Sequence, residues 1–145
     1  MTFGLIQKIY DSRAWTPLAK SSRGIENFLM ASCEAEPIII LGNQKTGSTA
    51  IAALLSQATE NTVTLDLQSA IQDVGWQLCV KYGVTDFNDI AYKYKKDFSR
   101  KIIKEPSLTY FYQELTDLFP KAKFVFIQRN PYQNIRSILN RLRIP

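Results

Sequence analysis

Lys45, Gly47, Ser48 and Thr49 fall inside the octapeptide GNQKTGST, residues 42–49, between an apolar run and a helix-forming one. A glycine loop in that position turns backbone N–H groups toward an anion, and the helix that follows adds its partial positive charge. Gly42 and Gly47 keep the spacing of a G-x-x-x-x-G-K-[ST] phosphate loop, but Ser48 stands where that pattern has lysine. The lysine is Lys45, inside the loop, where it can fold over a bound group while the Ser48 and Thr49 hydroxyls donate to it. The plain alternative is a tight glycine turn with no ligand.

Two further clusters suit the same chemistry. Arg129-Asn130-Pro131 follows the apolar run KFVFIQ, and Ser137 lies eight residues past Arg129, about two helical turns into the next segment. An arginine leaving the carboxyl end of a strand stands where ligands bind in open α/β sheets, and guanidinium and hydroxyl together can hold a second phosphate. Taken alone, they read more simply as a surface arginine and a helix-face serine. Lys104-Glu105-Pro106 closes KIIKEP. A lysine there can meet charge that develops on a transferring group, and a solvated strand-end ion pair is the alternative.

The elements that must position these residues follow from pattern. PIIIL, residues 37–41, is a short, wholly apolar, β-branched run, the mark of a strand buried on both faces. TVTLD (62–66), KIIKEP (101–106) and KFVFIQ (123–128) read as further strands. STAIAALLSQA after the loop has helical spacing. LQSAIQDVGWQLCVKYG reads as a helix closed by Gly83, and TDFNDIAYKYKKDF as another with Thr85 or Asp86 at its N-cap. Ser107 is placed to cap LTYFYQELTDLF, and Pro131 to open NPYQNIRSILNRLR. Ser21 or Ser22 can cap a helix through IENFLMASC. Strands alternating with helices predict a three-layer α/β domain with a parallel sheet. The expected division is a helical extension over 1–36 and an α/β core over 37–145, one domain overall. Four strands make a thin sheet, read as a small complete domain or as the front part of a longer fold.

Composition narrows the chemistry. The 145-residue chain suits one domain, and its 46% hydrophobic content argues against global disorder. A net charge of +5 leans toward an anionic partner. The chain has no histidine, which removes histidine metal ligands, Ser-His triads and a histidine base. Cys33 and Cys79 lack metal or redox spacing and read as buried thiols in a reducing compartment. No stretch reaches transmembrane length, so a cytoplasmic location is expected.

Taken together, the three clusters resemble the sulfotransferase family, in its carbohydrate-type and bacterial members, which draws on 3′-phosphoadenosine 5′-phosphosulfate (PAPS). The family's 5′-phosphosulfate loop reads like P-K-x-G-[ST]-[ST], matched here by Gln44-Lys45-Thr46-Gly47-Ser48-Thr49. Its 3′-phosphate signature is a strand, an arginine, often Asn/Asp-Pro, and a serine eight residues on, matched by KFVFIQRNP with Arg129 and Ser137. KEPSLTYF is similar to the K-x-P-x-x-F-like segment that sets a second lysine, Lys104, near the sulfonate. The resemblance implies a P-loop-like fold with Lys45 against the bridging oxygen and sulfonate. It also implies that Gly47, Ser48, Thr49 and the Ala50 amide hold the 5′-phosphate. A hydroxyl acceptor must lose a proton to a base; the resemblance points to Asp66, after the second strand, with Glu105 as the other candidate. Sulfuryl transfer needs no obligatory metal.

Family members continue past the 3′-phosphate helix to acceptor-binding parts that this sequence does not match, so the donor half is the better supported. The expected partners are PAPS or adenosine 3′,5′-bisphosphate and a sugar, lipid or small-molecule acceptor, with no nucleic acid. Arginines 136, 141 and 143 read as the solvated face of a helix. A P-loop nucleotide or small-molecule kinase is one alternative, weakened by the missing G-K-[ST] lysine. A non-catalytic nucleotide-binding remnant is the other.

Overall fold

The structure, a computed structural model, describes residues 32–70, 73 and 75–143. The helix expected through IENFLMASC and most of the 1–36 extension lie outside the described residues. In chain order the elements are β1 (Ile38–Leu41), α1 (Ser48–Thr59), β2 (Val63–Leu65), a 3-10 turn (Gln68–Ala70), α2 (Trp76–Lys81), α3 (Phe87–Lys93), α4 (Lys95–Phe98), β3 (Ile102–Lys104), a second 3-10 turn (Pro106–Phe111), α5 (Tyr112–Leu118), β4 (Lys123–Phe126) and α6 (Pro131–Leu142). The described residues fall into two compact units, one within Ala35–Asp66 and Arg100–Pro145, the other within Leu67–Ser99 together with residues 32–34.

The first unit is α/β: a four-stranded, wholly parallel sheet in the order β2-β3-β1-β4, flanked by helices. β1 lies inside the sheet, with Ile39 opposite both Ile103 and Phe124. Its β-branched residues fit a pleated surface covered on each side. One face packs on α1, where Ile40, Ala52 and Ile102 are buried with Leu55, Leu65 and Val125 against them. Each such isoleucine contributes roughly 1.5–3 kcal/mol by leaving water. Alternation turns Phe124 and Phe126 to the opposite face, where Tyr112 at the start of α5 meets both rings at 5.0 and 5.6 Å between centroids. The helices that follow β1 and β3 therefore lie on opposite faces. Two neighbouring strands whose connections part in this way open a crevice at their carboxyl ends.

The second unit departs from the expected long helices. Among the described residues, LQSAIQDVGWQLCVKYG gives the first 3-10 turn and α2, and Gly75, with φ 115, is the N-cap from which α2 starts. TDFNDIAYKYKKDF breaks at Tyr94 into α3 and α4. Asp86 is the cap of α3, accepting from the Asn88 N–H at 2.7 Å. Its core includes Phe87, Ile90, Tyr94 and Phe98, with Phe87 and Phe98 edge to face. The buried Asp73 accepts at Oδ2 from Lys93 Nζ at 2.8 Å and from the Tyr94 hydroxyl. Burial pushes the Cys33 thiol up from its ordinary pKa of 9.0, and the charge of Lys95 opposes that rise. No described helix is long and apolar enough to cross a membrane.

Candidate functional site

Gly42 begins the glycine loop at the end of β1. Its φ is 154, and a Cβ there would meet the Ile127 carbonyl at 2.8 Å, so the loop and the end of β4 approach as only glycine allows. The Gly42 N–H donates to Thr109 Oγ1 at 2.9 Å, which ties the loop to the segment after β3. Gly47 takes φ 94 and is the N-cap of α1 without any side-chain cap. No acidic residue occupies the first turn of α1, so its first-turn amides are left for an external acceptor.

Lys45 is left-handed, with φ 65, a conformation that costs an L residue roughly 1–2 kcal/mol. Two side chains from the β4–α6 segment fix it. Arg129 Nη1 donates to the Lys45 carbonyl at 2.8 Å, and Asn134 Nδ2 donates to the Gln44 carbonyl at 2.7 Å. Asn130 Oδ1 caps α6 by accepting from the N–H groups of Tyr132 and Gln133, with Pro131 at the first turn as its sequence predicts.

Across the crevice, Lys104 ends β3 with only 5% of its side chain exposed, and its Nζ lies 2.5 Å from Asp66 Oδ1. Asp66 follows β2 with φ 64, and its side chain is 49% exposed. Glu105 acts on its own neighbourhood, where its Oε1 accepts from the N–H and the hydroxyl of Ser107, at 3.0 and 2.8 Å. This corrects the expected cap. Glu105, not Ser107, opens the segment before α5, because Pro106 takes the first position and starts a 3-10 turn rather than an α-helix.

A cavity of about 740 Å³ gathers these groups. Gln44, Lys45, Gly47, Ser48, Thr49 and Ala50 line it from the loop and α1; Asp66, Lys104 and Glu105 from β2 and β3; Arg129 and Ser137 from β4 and α6. Of the expected site residues, Thr46 alone is not among the lining: its hydroxyl turns back to the Asn43 carbonyl at 2.8 Å. Arg141, expected on a solvated helix face, lines the cavity one turn beyond Ser137. Lysines 45 and 104 and arginines 129 and 141 thus face two carboxylates, and one of these, Asp66, is already paired. The remaining positive field suits a multiply charged anion.

Asn134, Thr109 and Arg141 are the residues that the sequence reading missed. Asn134 stands three positions before Ser137, so helical spacing places both on one face. No protein-family model matches the chain, and no curated protein matches it.

Proposed function

We propose that this chain binds PAPS on a P-loop-like core and transfers its sulfuryl group to a hydroxyl or amine acceptor, as a sulfotransferase. The observation that carries the reading is the convergence of Lys45, Lys104, Arg129 and Ser137, up to 92 positions apart in sequence, on one cavity of about 740 Å³. That volume lies within the range of small-molecule sites, roughly 300–1,000 Å³.

The residues divide the work. The loop amides, Ser48 and Thr49 hold the 5′-phosphate, and Arg129 with Ser137 holds the 3′-phosphate. The bond between sulfur and the bridging oxygen breaks, and its electron pair stays on the phosphate; Lys45 donates to that oxygen as it gains charge. Lys104 faces the sulfonate. The acceptor oxygen forms the new bond to sulfur and gives up its proton to a carboxylate. Asp66 suits this better than Glu105, because the Lys104 ammonium orients it at the cavity while Glu105 caps a turn.

The test compares thermal unfolding with adenosine 3′,5′-bisphosphate and with magnesium-ATP. A ligand at a hundred times its dissociation constant adds about 2.7 kcal/mol. The bisphosphate is expected to stabilise the chain, and Lys45→Ala or Arg129→Ala to abolish the effect. Stabilisation by magnesium-ATP alone would replace the reading with a nucleotide kinase. Bisphosphate binding with no transfer of labelled sulfate from PAPS to any hydroxyl acceptor would reduce it to a binding remnant.

A further inference from the structure

Asn134 belongs to none of the three clusters that point to the anion site, yet it is the buried residue of α6, a polar side chain with only 8% of its surface accessible. Its amide is spent on one contact with the glycine loop, 90 residues earlier in the chain: Nδ2 to the Gln44 carbonyl at 2.7 Å. Arg129 takes the next carbonyl, that of Lys45, at 2.8 Å. Two consecutive loop carbonyls are therefore drawn toward the start of α6. A trans peptide unit sets its C=O and N–H on opposite sides. Fixing the Gln44 carbonyl thus fixes where the Lys45 N–H points, and fixing the Lys45 carbonyl does the same for the Thr46 N–H. Between the two anchored carbonyls lies the left-handed Lys45. A strained backbone of this kind persists only where its surroundings over-determine it.

We propose that Asn134 is a positioning residue that, with Arg129, locks the loop backbone at Gln44 and the left-handed Lys45 before any ligand arrives. The loop that receives one anion is thereby built on the same helix that carries Ser137, so the two ends of the site are set by one element. Arg129 has five N–H donors and spends one on Lys45, which leaves the rest of its fork for a ligand.

The test has one arm independent of the proposed function. Asn134→Asp keeps the side-chain shape and removes the donor; Asn134→Ala removes both. Backbone order parameters from nitrogen-15 relaxation are measured on the ligand-free chain. Gln44 and Lys45 are expected near 0.85 in the unaltered protein and below about 0.6 in either variant, with β1 and β3 unchanged. Ser137→Ala, which leaves the clamp intact, is expected to leave Gln44 and Lys45 rigid. The second arm rests on the PAPS reading: adenosine 3′,5′-bisphosphate should bind Asn134→Asp about tenfold more weakly. Order parameters of Gln44 and Lys45 that stay high in both Asn134 variants would overturn the positioning role. A rigid loop in the unaltered chain that loosens in the variants, with no bisphosphate bound by either, would sustain the role and remove the ligand assignment instead.

Discussion

Lys104 Nζ and Asp66 Oδ1 lie 2.5 Å apart, the ammonium almost wholly buried and the carboxylate half in solvent. The two ends of this pair are therefore not equivalent. Removing the carboxylate strands a buried cation, whereas removing the ammonium leaves an acid that water can solvate. Asp66→Ala is expected to cost about 2–4 kcal/mol, and Lys104→Met under about 1.5 kcal/mol. Urea unfolding of both variants checks the order; a costlier Lys104→Met would contradict it.

At Lys45 the strain of the backbone can be measured apart from the side chain. Its left-handed backbone suits glycine, so Lys45→Gly should be more stable than Lys45→Ala by about 1 kcal/mol, although both lack the amine. Equilibrium denaturation measures the difference. Equal stabilities would mean that the loop relaxes when the side chain is cut back.

The two loop glycines differ in what surrounds them. A Cβ at Gly47 meets nothing within 4 Å, so Gly47→Ala carries only the left-handed penalty, about 1–2 kcal/mol. At Gly42 the new methyl also collides with the Ile127 carbonyl. Gly42→Ala should therefore cost more, roughly 2–4 kcal/mol, and should disturb the pairing of β1 with β4. Amide exchange at Ile127, whose N–H donates to the Leu41 carbonyl at 2.9 Å, is the local reporter.

Cys33 should be a slow thiol at neutral pH. Burial disfavours its thiolate, so its pKa lies above 9.0 and the reactive form is scarcer at pH 8 than in a free cysteine. The rate of alkylation by iodoacetamide is expected to rise with pH and reach its midpoint above pH 9.0. Lys95→Met removes the opposing charge and should move that midpoint higher still. A midpoint below 9.0 would show a charged neighbour outweighing burial.

How much of this was legible follows from which interactions are local. β1 stood out because IIIL is apolar and β-branched throughout, and each of the four strands lies inside its expected run. The loop, Lys104, Arg129 and Ser137, which line one cavity, were legible because a glycine-rich turn between strand and helix and strand-end cations leave a mark within a few residues. The long helices of the second unit were not, because Gly75 and Tyr94 interrupt patterns whose apolar spacing alone runs on. The 3-10 start before α5 turned on which of two adjacent polar residues, Glu105 or Ser107, reached the backbone first. Asn134 and Thr109 act on loop carbonyls and amides 90 and 67 residues distant, and side-chain-to-backbone contacts of that reach leave no spacing to read.

Those same separations carry a consequence for how the molecule is made. The hydrogen bonds that shape the glycine loop close spans of 67, 84 and 90 residues, and among the described residues β1 pairs with β3 and β4, both made well after it. At a synthesis rate of roughly 5–20 residues per second, the loop leaves the ribosome several seconds before Asn134 exists to hold it. During that interval IIIL is an unpaired apolar segment, the kind of sequence that chaperones shield. The cavity beside the glycine loop is thus assembled only once Arg129 and Asn134 have been made, so the loop takes its final shape long after its own residues are in place.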